Sequence, residues 1–273
     1  MQRTPLLLLA LLLLAVTARA AVQEEGERHY LAGDYARAAV AFARAAESGA
    51  AVAQFNLGTL YADGLGVAQD DRMAAYWYRK AAEQGHMGAQ FNLGLMYSQG
   101  RGFEPDGRLA APWYRRAAEQ GHAKAQYNLG FMYAQGLGVA RDDGEAFRWY
   151  RKAAEQGHAQ AQFHLGECYA NGIGVTPDKA VATQWYRKAA EQGLDHAQYK
   201  MAWLYAHGVG VARDWLEAHK WAQIAYLGGF AAAEEIRLQA EQQLAPAQIE
   251  KSRQLARQWF KVYVDRVLAR AGQ

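Results

Sequence analysis

The sequence predicts an all-α protein built from repeated helix pairs, and three observations carry that prediction. The dipeptide Ala-Gln recurs at Ala53, Ala89, Ala125, Ala161 and Ala197, a spacing of 36 residues each time with no insertion. Trp77, Trp113, Trp149, Trp185 and Trp221 keep that interval, as do Tyr61, Tyr97, Tyr133, Tyr169 and Tyr205, so one unit is copied. Within the unit, Ala89, Leu93, Met96 and Tyr97 stand at i, i+4, i+7 and i+8, which is one face of a helix. Gly100-x-Gly102 then ends that helix, and Asp106 stands where it can cap a second one.

The elements follow in order. Arg3, the apolar run from Leu6 to Val16 and Ala18-Arg19-Ala20 form the charged start, hydrophobic stretch and small-x-small site of a signal peptide over residues 1–20. That run is too short to span a bilayer, which takes about 20 apolar residues. Residues 21–48 form a divergent N-terminal capping pair, in which Gly33-Asp34-Tyr35 opens a helix that puts Phe42 in the column of Tyr78. Five repeats follow over 49–229, at about 49–84, 85–120, 121–156, 157–192 and 193–229, with no linker between them. Asp70, Asp106, Asp142, Asp178 and Asp214 are the expected caps of the second helices, and Gly85, Gly121, Gly157 and Gly193 close those helices. Asp142 with Glu145, and Asp214 with Glu217, have the spacing of a capping box. Pro112 falls inside a second helix, where it removes a donor and is expected to bend the turn. Residues 230–273 supply the C-terminal capping helices, one over 230–243 and a long one from Pro246 through Trp259. Glu250, Lys251, Arg253, Arg257 and Lys261 give the polar outer face that a terminal repeat needs.

Residues 125–139, Ala-Gln-Tyr-Asn-Leu-Gly-Phe-Met-Tyr-Ala-Gln-Gly-Leu-Gly-Val, followed by Trp149-Tyr-Arg-Lys-Ala-Ala-Glu-Gln-Gly, resemble the Sel-one-like repeat, a relative of the tetratricopeptide repeat. The resemblance covers about residues 49–229 and recurs five times. It implies a right-handed superhelical α/α solenoid of antiparallel helix pairs, with the first helices lining a concave surface. It also implies protein–protein contact, as adaptors or secreted factors in bacteria. Secreted relatives that staple each repeat with paired cysteines differ from this chain, whose sole cysteine is Cys168.

Composition excludes several classes. One cysteine rules out a disulfide framework or a multi-cysteine zinc site. The net charge is +3, and cleavage after Ala20 leaves 28 basic against 27 acidic residues, which argues against a nucleic-acid or anionic-membrane footprint. Of the three serines, none begins a Ser-x-x-Lys, and neither Gly-x-Ser-x-Gly nor a phosphate-cradling glycine loop occurs. Arg79-Lys80, Arg151-Lys152 and Arg187-Lys188 read as a solvated face balanced by Glu83, Glu155 and Glu191. Cys168, in the column of Leu60, Met96, Met132 and Leu204, reads as a small buried apolar residue. His86, His122 and His158 share one column and lie too far apart for one metal ion, so they read as helix-start partners.

Columns that repeat describe scaffold, and columns that vary on one face are where a partner can be read. The columns beginning at Val52, Asn56, Thr59 and Asp63 lie within roughly 60° of one another on the first helix, away from the core stripe. They predict a partner-binding stripe of Asn92, Leu95, Gln99, Lys124, Asn128, Phe131, Gln135, His164, Glu167, Asn171, Lys200, Trp203 and His207. Leu95, Phe131 and Trp203 would be apolar anchors among polar groups. His164, Glu167, His196 and His207 also fall on this stripe, but with no short metal-ligand spacing. The reading is an exported, periplasmic or secreted, monomeric, non-catalytic scaffold without cofactor or metal, binding a protein or peptide. The alternatives are a cell-wall or β-lactam hydrolase, as linked to some relatives, and an envelope assembly factor without a peptide groove.

Overall fold

The structure is a computed structural model that describes residues 21–271, with side chains through residue 269; the expected signal peptide lies outside the described residues. Fourteen helices and no strand occur among the described residues. Contacts divide the chain into two compact units.

The first unit holds described residues 21–132 and 136–140. Its helices are α1 over 21–31, α2 (Tyr35–Glu47), α3 (Ala51–Asp63), α4 (Asp71–Glu83), α5 (Met87–Gln99), α6 (Gly107–Glu119) and most of α7 (Ala123–Gln135). The second unit holds residues 133–135 and 141–271. It comprises α8 (Asp143–Glu155), α9 (Ala159–Asn171), α10 (Lys179–Glu191), α11 (Asp195–His207), α12 (Trp215–Leu227), α13 (Ala233–Gln243) and α14 (Pro246–Ala271). In the first unit α2 through α5 each pack on the next helix in sequence, and in the second α8 through α12 do the same, with α12 also packing on α14. The all-α helix-pair architecture is therefore the one expected.

The periodic columns do separate jobs. Ala53, Ala89 and Leu93 are fully or almost fully buried, as are Tyr78 and Tyr114 from the second helices. The glutamine of each Ala-Gln is buried too, and it ties a first helix to the second helix before it. Gln54, Gln90 and Gln126 donate to the carbonyls of Ala46, Ala82 and Ala118 at 3.0–3.1 Å. In the second unit Gln162 and Gln198 do the same to Ala154 and Ala190. Gln84, Gln120 and Gln192 close the ladder by donating to the side-chain oxygens of Gln54, Gln90 and Gln162 at 2.7 Å. A buried amide left without these partners would cost about 1–3 kcal/mol, so the residue recurs without exception.

The turns need glycine for two reasons. Gly64 ends α3 in the left-handed region, at φ 67°. Gly66 is also left-handed, and a Cβ there would collide with the Tyr35 backbone at the start of α2. Each capping aspartate behaves as expected: Asp106 accepts from the amides of Arg108 and Leu109 at 2.7 and 3.3 Å.

The capping box is a correction. The amide of Asp142 donates to the Tyr133 carbonyl at 3.1 Å, and that of Asp214 to the Tyr205 carbonyl at 3.0 Å. No donor is left there for Glu145 or Glu217, so Glu145 instead accepts from Arg148 and the Trp149 indole, and Glu217 from Lys220. The basic face is exposed as expected, and Arg151 pairs with Glu155 at 3.8 Å, but other members find aromatic partners. Lys152 and Lys188 lie over Trp149 and Trp185, at 4.2 and 3.8 Å from the ring centroids, and Arg79 and Arg187 donate to the hydroxyls of Tyr97 and Tyr205.

α6 continues through Pro112. α13 begins at Ala233, after a turn, and α14 runs past Trp259 to Ala271 because Tyr263 packs at Gly193 and Arg266 reaches the Glu191 carbonyl.

Candidate functional site

The varying columns of the first helices are built on the buried tyrosines of the second. Gly94 gives Tyr114 its place: a Cβ there would lie 2.9 Å from the Tyr114 ring, and at Gly166 it would lie 2.7 Å from Tyr186. The rings pass under the first helix and bring their hydroxyls out onto the stripe. Where the tyrosine column becomes Ala222, the glycine column becomes Ala202, and both are fully buried.

In the first unit this produces polar-edged clefts. The Tyr78 hydroxyl pairs with Thr59 Oγ1 at 3.1 Å and with the Asn92 side chain. The Tyr114 hydroxyl pairs with Ser98 Oγ at 2.9 Å and with Asn128. Burial pushes both phenols up against the pull of these bonds, so they remain protonated. A cleft of about 390 Å³ is lined by Leu95, Gln99, Asn128 and Phe131 of the predicted stripe, together with Ser98, Pro105, Asp106, Gly107, Tyr114, Met132 and Leu137. A second cleft, of about 440 Å³, lies between Tyr30, Leu31, Phe42 and Phe55, with Asn56, Thr59 and Asn92 on its edge. Lys124 and Gln135 are exposed outside both clefts; Gln135 belongs by its contacts to the second unit.

In the second unit the same columns pair with each other. Glu167 accepts from the Tyr186 hydroxyl, from Lys200 Nζ at 3.0 Å and from Asn171 at 3.2 Å. Burial pushes the Glu167 carboxyl up, but Tyr186 and Lys200 outweigh it and its pKa falls. His164 stacks on Tyr150 at 5.1 Å, and burial pushes its imidazole down. Trp203 stacks on His207 at 4.4 Å, and a His207 ring nitrogen lies 2.8 Å from the Trp203 carbonyl.

Phe131 is an exposed anchor, at 39% exposure, whereas Leu95 and Trp203 are half-buried, a correction to the expectation of three exposed anchors. Leu95 has turned into its cleft, and Trp203 packs on the core beside Tyr205 and Ala206.

The other singled-out residues have structural places. His86, His122 and His158 cap α5, α7 and α9 through Nδ1, which accepts from the amides of Ala89, Ala125 and Ala161 at 3.1–3.3 Å. His86 and His122 also stack on Phe55 and Phe91 of the preceding repeat. Cys168 is buried, and burial, with Asp143 and Glu167 nearby, pushes its thiol up to about 12. Among the described residues no three His, Cys, Asp or Glu side chains are placed to hold a metal ion, and no helix is long and apolar enough to cross a membrane. Sequence reasoning missed the hydroxyls of the tyrosine column, although the joint change of Gly and Tyr to Ala in the last repeat was a visible signal.

Comparison with known proteins matches these features. The Sel1 repeat profile fits residues 51–86, 88–122, 123–158, 159–194 and 195–230. A Sel1 repeat protein from Oxalobacter formigenes is 36% identical, with a TM-score of 0.73 over 87% of this chain and 96% of that one. The protein c5321, a protective antigen present in uropathogenic Escherichia coli strains and displaying an SLR fold, is 28% identical, with a TM-score of 0.54 over 92% of this chain and 70% of that one. No curated protein gives a significant match. With five matched repeats covering well over half its length, this chain belongs to the Sel1 repeat family, whose members generally act as protein–protein interaction scaffolds.

Proposed function

We propose that the protein is a non-catalytic, monomeric scaffold of the cell envelope that holds a protein or peptide partner on the first-helix stripe, chiefly in its first unit. The observation that carries this reading is the cleft in which Leu95 and Phe131 present apolar surface beside the hydroxyls and amides of Ser98, Tyr114 and Asn128. Such a site takes an apolar side chain and offers hydrogen bonds to the backbone on either side of it. Glu167 and Lys200 neutralise each other and offer a partner less.

Export rests on the signal-peptide pattern of residues 1–20. The likeness to a protein described as a protective antigen agrees with it. The mature chain is expected to begin at Ala21, which N-terminal sequencing of protein from the native host checks.

The test of binding is a Leu95→Ala/Phe131→Ala double variant, compared with Trp203→Ala, in capture of envelope proteins from the native host. The double variant is expected to lose at least tenfold of whatever wild type retains, and Trp203→Ala to lose little. Equal capture by all three forms would refute the assignment.

A further inference from the structure

Away from the stripe, the C-terminal helix pair is fastened to the last repeat by a polar cluster inside an apolar contact. Ala233, Ile236, Ala240 and Ala256 of α13 and α14 are buried around it. At its centre His219 of α12 and Ser252 of α14 are both 0% exposed. One ring nitrogen, Nδ1, lies 2.8 Å from Ser252 Oγ, and the other, Nε2, lies 3.3 Å from Oε1 of Glu241 on α13.

The hydrogen-bond order follows from the carboxylate. An ionised Glu241 only accepts, so Nε2 carries the proton, and the Ser252 hydroxyl donates to Nδ1. The same Glu241 oxygen already accepts from Arg237 of α13 at 2.9 Å and from Arg253 of α14 at 3.0 Å. Of the other charged groups around the cluster, Glu217 and Lys220 of α12 pair with each other, and Glu234 of α13 lies 3.6 Å from Arg237. One carboxylate thus serves two guanidinium groups and a neutral imidazole.

A proton arriving at Nδ1 changes this balance. The ring would then donate to Ser252 Oγ, and the hydroxyl would have to turn to the Leu216 carbonyl, 3.4 Å away. Three cations would crowd one carboxylate oxygen, one of them on a ring that is itself closed to water, whereas an open cap hands the charged ring to solvent. We propose that α13 and α14 form an acid-released latch, which stays closed on the last repeat while His219 is neutral and loosens when that ring takes up a proton. Burial pushes the imidazole down; Glu241 opposes this, and Arg253 and Arg237 add to the fall. For a base with a lowered value in the closed form, closure is favoured above its ordinary value of 6.5 and is lost as pH falls below it. Opening would bare Trp221, which faces Trp259 of α14.

The test is amide hydrogen exchange on the full chain at pH 7.5 and 5.5, corrected for intrinsic rates. Protection over α13 and the first half of α14 is expected to fall by up to about tenfold in wild type, one pH unit below the ordinary histidine value, while α11 keeps its protection. His219→Gln, which can still bridge Ser252 and Glu241 but does not titrate, is expected to lose the pH dependence. A proton NMR titration of His219 in the wild-type protein supports the latch independently of that variant if the ring titrates below 6.5. Equal wild-type protection at both pH values, the same loss in His219→Gln, or a ring that titrates at or above 6.5 would each overturn it.

Discussion

The first-helix stripe of the first unit and that of the second use the same columns on the same scaffold, yet they differ chemically. In the first, Asn92 and Asn128 lean on buried tyrosine hydroxyls, and clefts stay open beside them. In the second, Glu167, Tyr186 and Lys200 form a closed set, and Trp203 covers itself with His207. The backbone frame is not what separates them, because the glutamine ladder recurs in both. Substitutions at a few variable positions decide whether a repeat offers bonding groups outward or spends them internally.

The largest expected effect concerns the tyrosine support. Tyr114→Ala should cost about 3–5 kcal/mol and remove the hydroxyl that anchors Ser98 and Asn128, measured by chemical denaturation. Gly94→Ala should cost about 1–3 kcal/mol while Tyr114 is present, because the new methyl meets its ring. In the Tyr114→Ala background the same change should turn favourable by up to about 1 kcal/mol, since alanine is the better helix former. That combination reproduces the Ala202/Ala222 pair. A Gly94→Ala cost that is unchanged in both backgrounds would break the link between the two columns.

The closed set of the second unit comes next. Glu167→Gln should destabilise by about 1–3 kcal/mol, toward the lower end because Lys200 is about a third exposed. Its pH sign is that of a depressed carboxyl: the stabilisation is full above the ordinary value of 4.5 and fades as pH falls below it. Denaturation midpoints of wild type and Glu167→Gln should therefore converge below that pH.

The histidine caps of α5 and α7 lose their support in the same direction but from a higher pH. Burial pushes His86 and His122 down, with Lys124 adding to the fall at His122, and the cap uses a neutral Nδ1 as acceptor. Their support is full above 6.5 and lost as pH falls below it. His122→Ala should cost about 0.5–2 kcal/mol at pH 7.5. His122→Asp should keep the cap and flatten part of the stability loss between pH 7 and 5, as thermal melts would show.

The smallest effect is a gain. The indole N–H of Trp149 donates to Glu145, whereas that of Trp77, which has Met73 at the equivalent place, is buried without a hydrogen-bond partner. Met73→Glu should supply the acceptor and add about 1 kcal/mol, a rise in Tm of about 2–4 °C.

Much of this fold was legible because each helix pair must solve the same local problem. Asp106 as a cap, Gly100 as a stop and Cys168 as a core residue could be read from spacing alone. The Ala-Gln signature was visible, but its reason was not, because Gln90 reaches the Ala82 carbonyl across a packing interface that no linear pattern displays. The capping boxes misled because a carbonyl on the preceding helix had already taken the cap amide. On the stripe, spacing located the face but could not tell exposed Phe131 from half-buried Trp203, since that depends on what fills the neighbouring columns. The His219 cluster joins one residue of the last repeat to two beyond the repeats and left no trace in the sequence pattern.

Partners are expected to engage the open stripe of the first unit in preference to the closed one of the second. Photo-crosslinking in the native envelope, with the reactive side chain at Phe131 in one strain and at Trp203 in another, tests it most directly. A discrete crosslinked partner, identified by mass spectrometry, is expected from position 131, and a much weaker product from position 203. Equal yields from both positions, or a product from 203 alone, would contradict it.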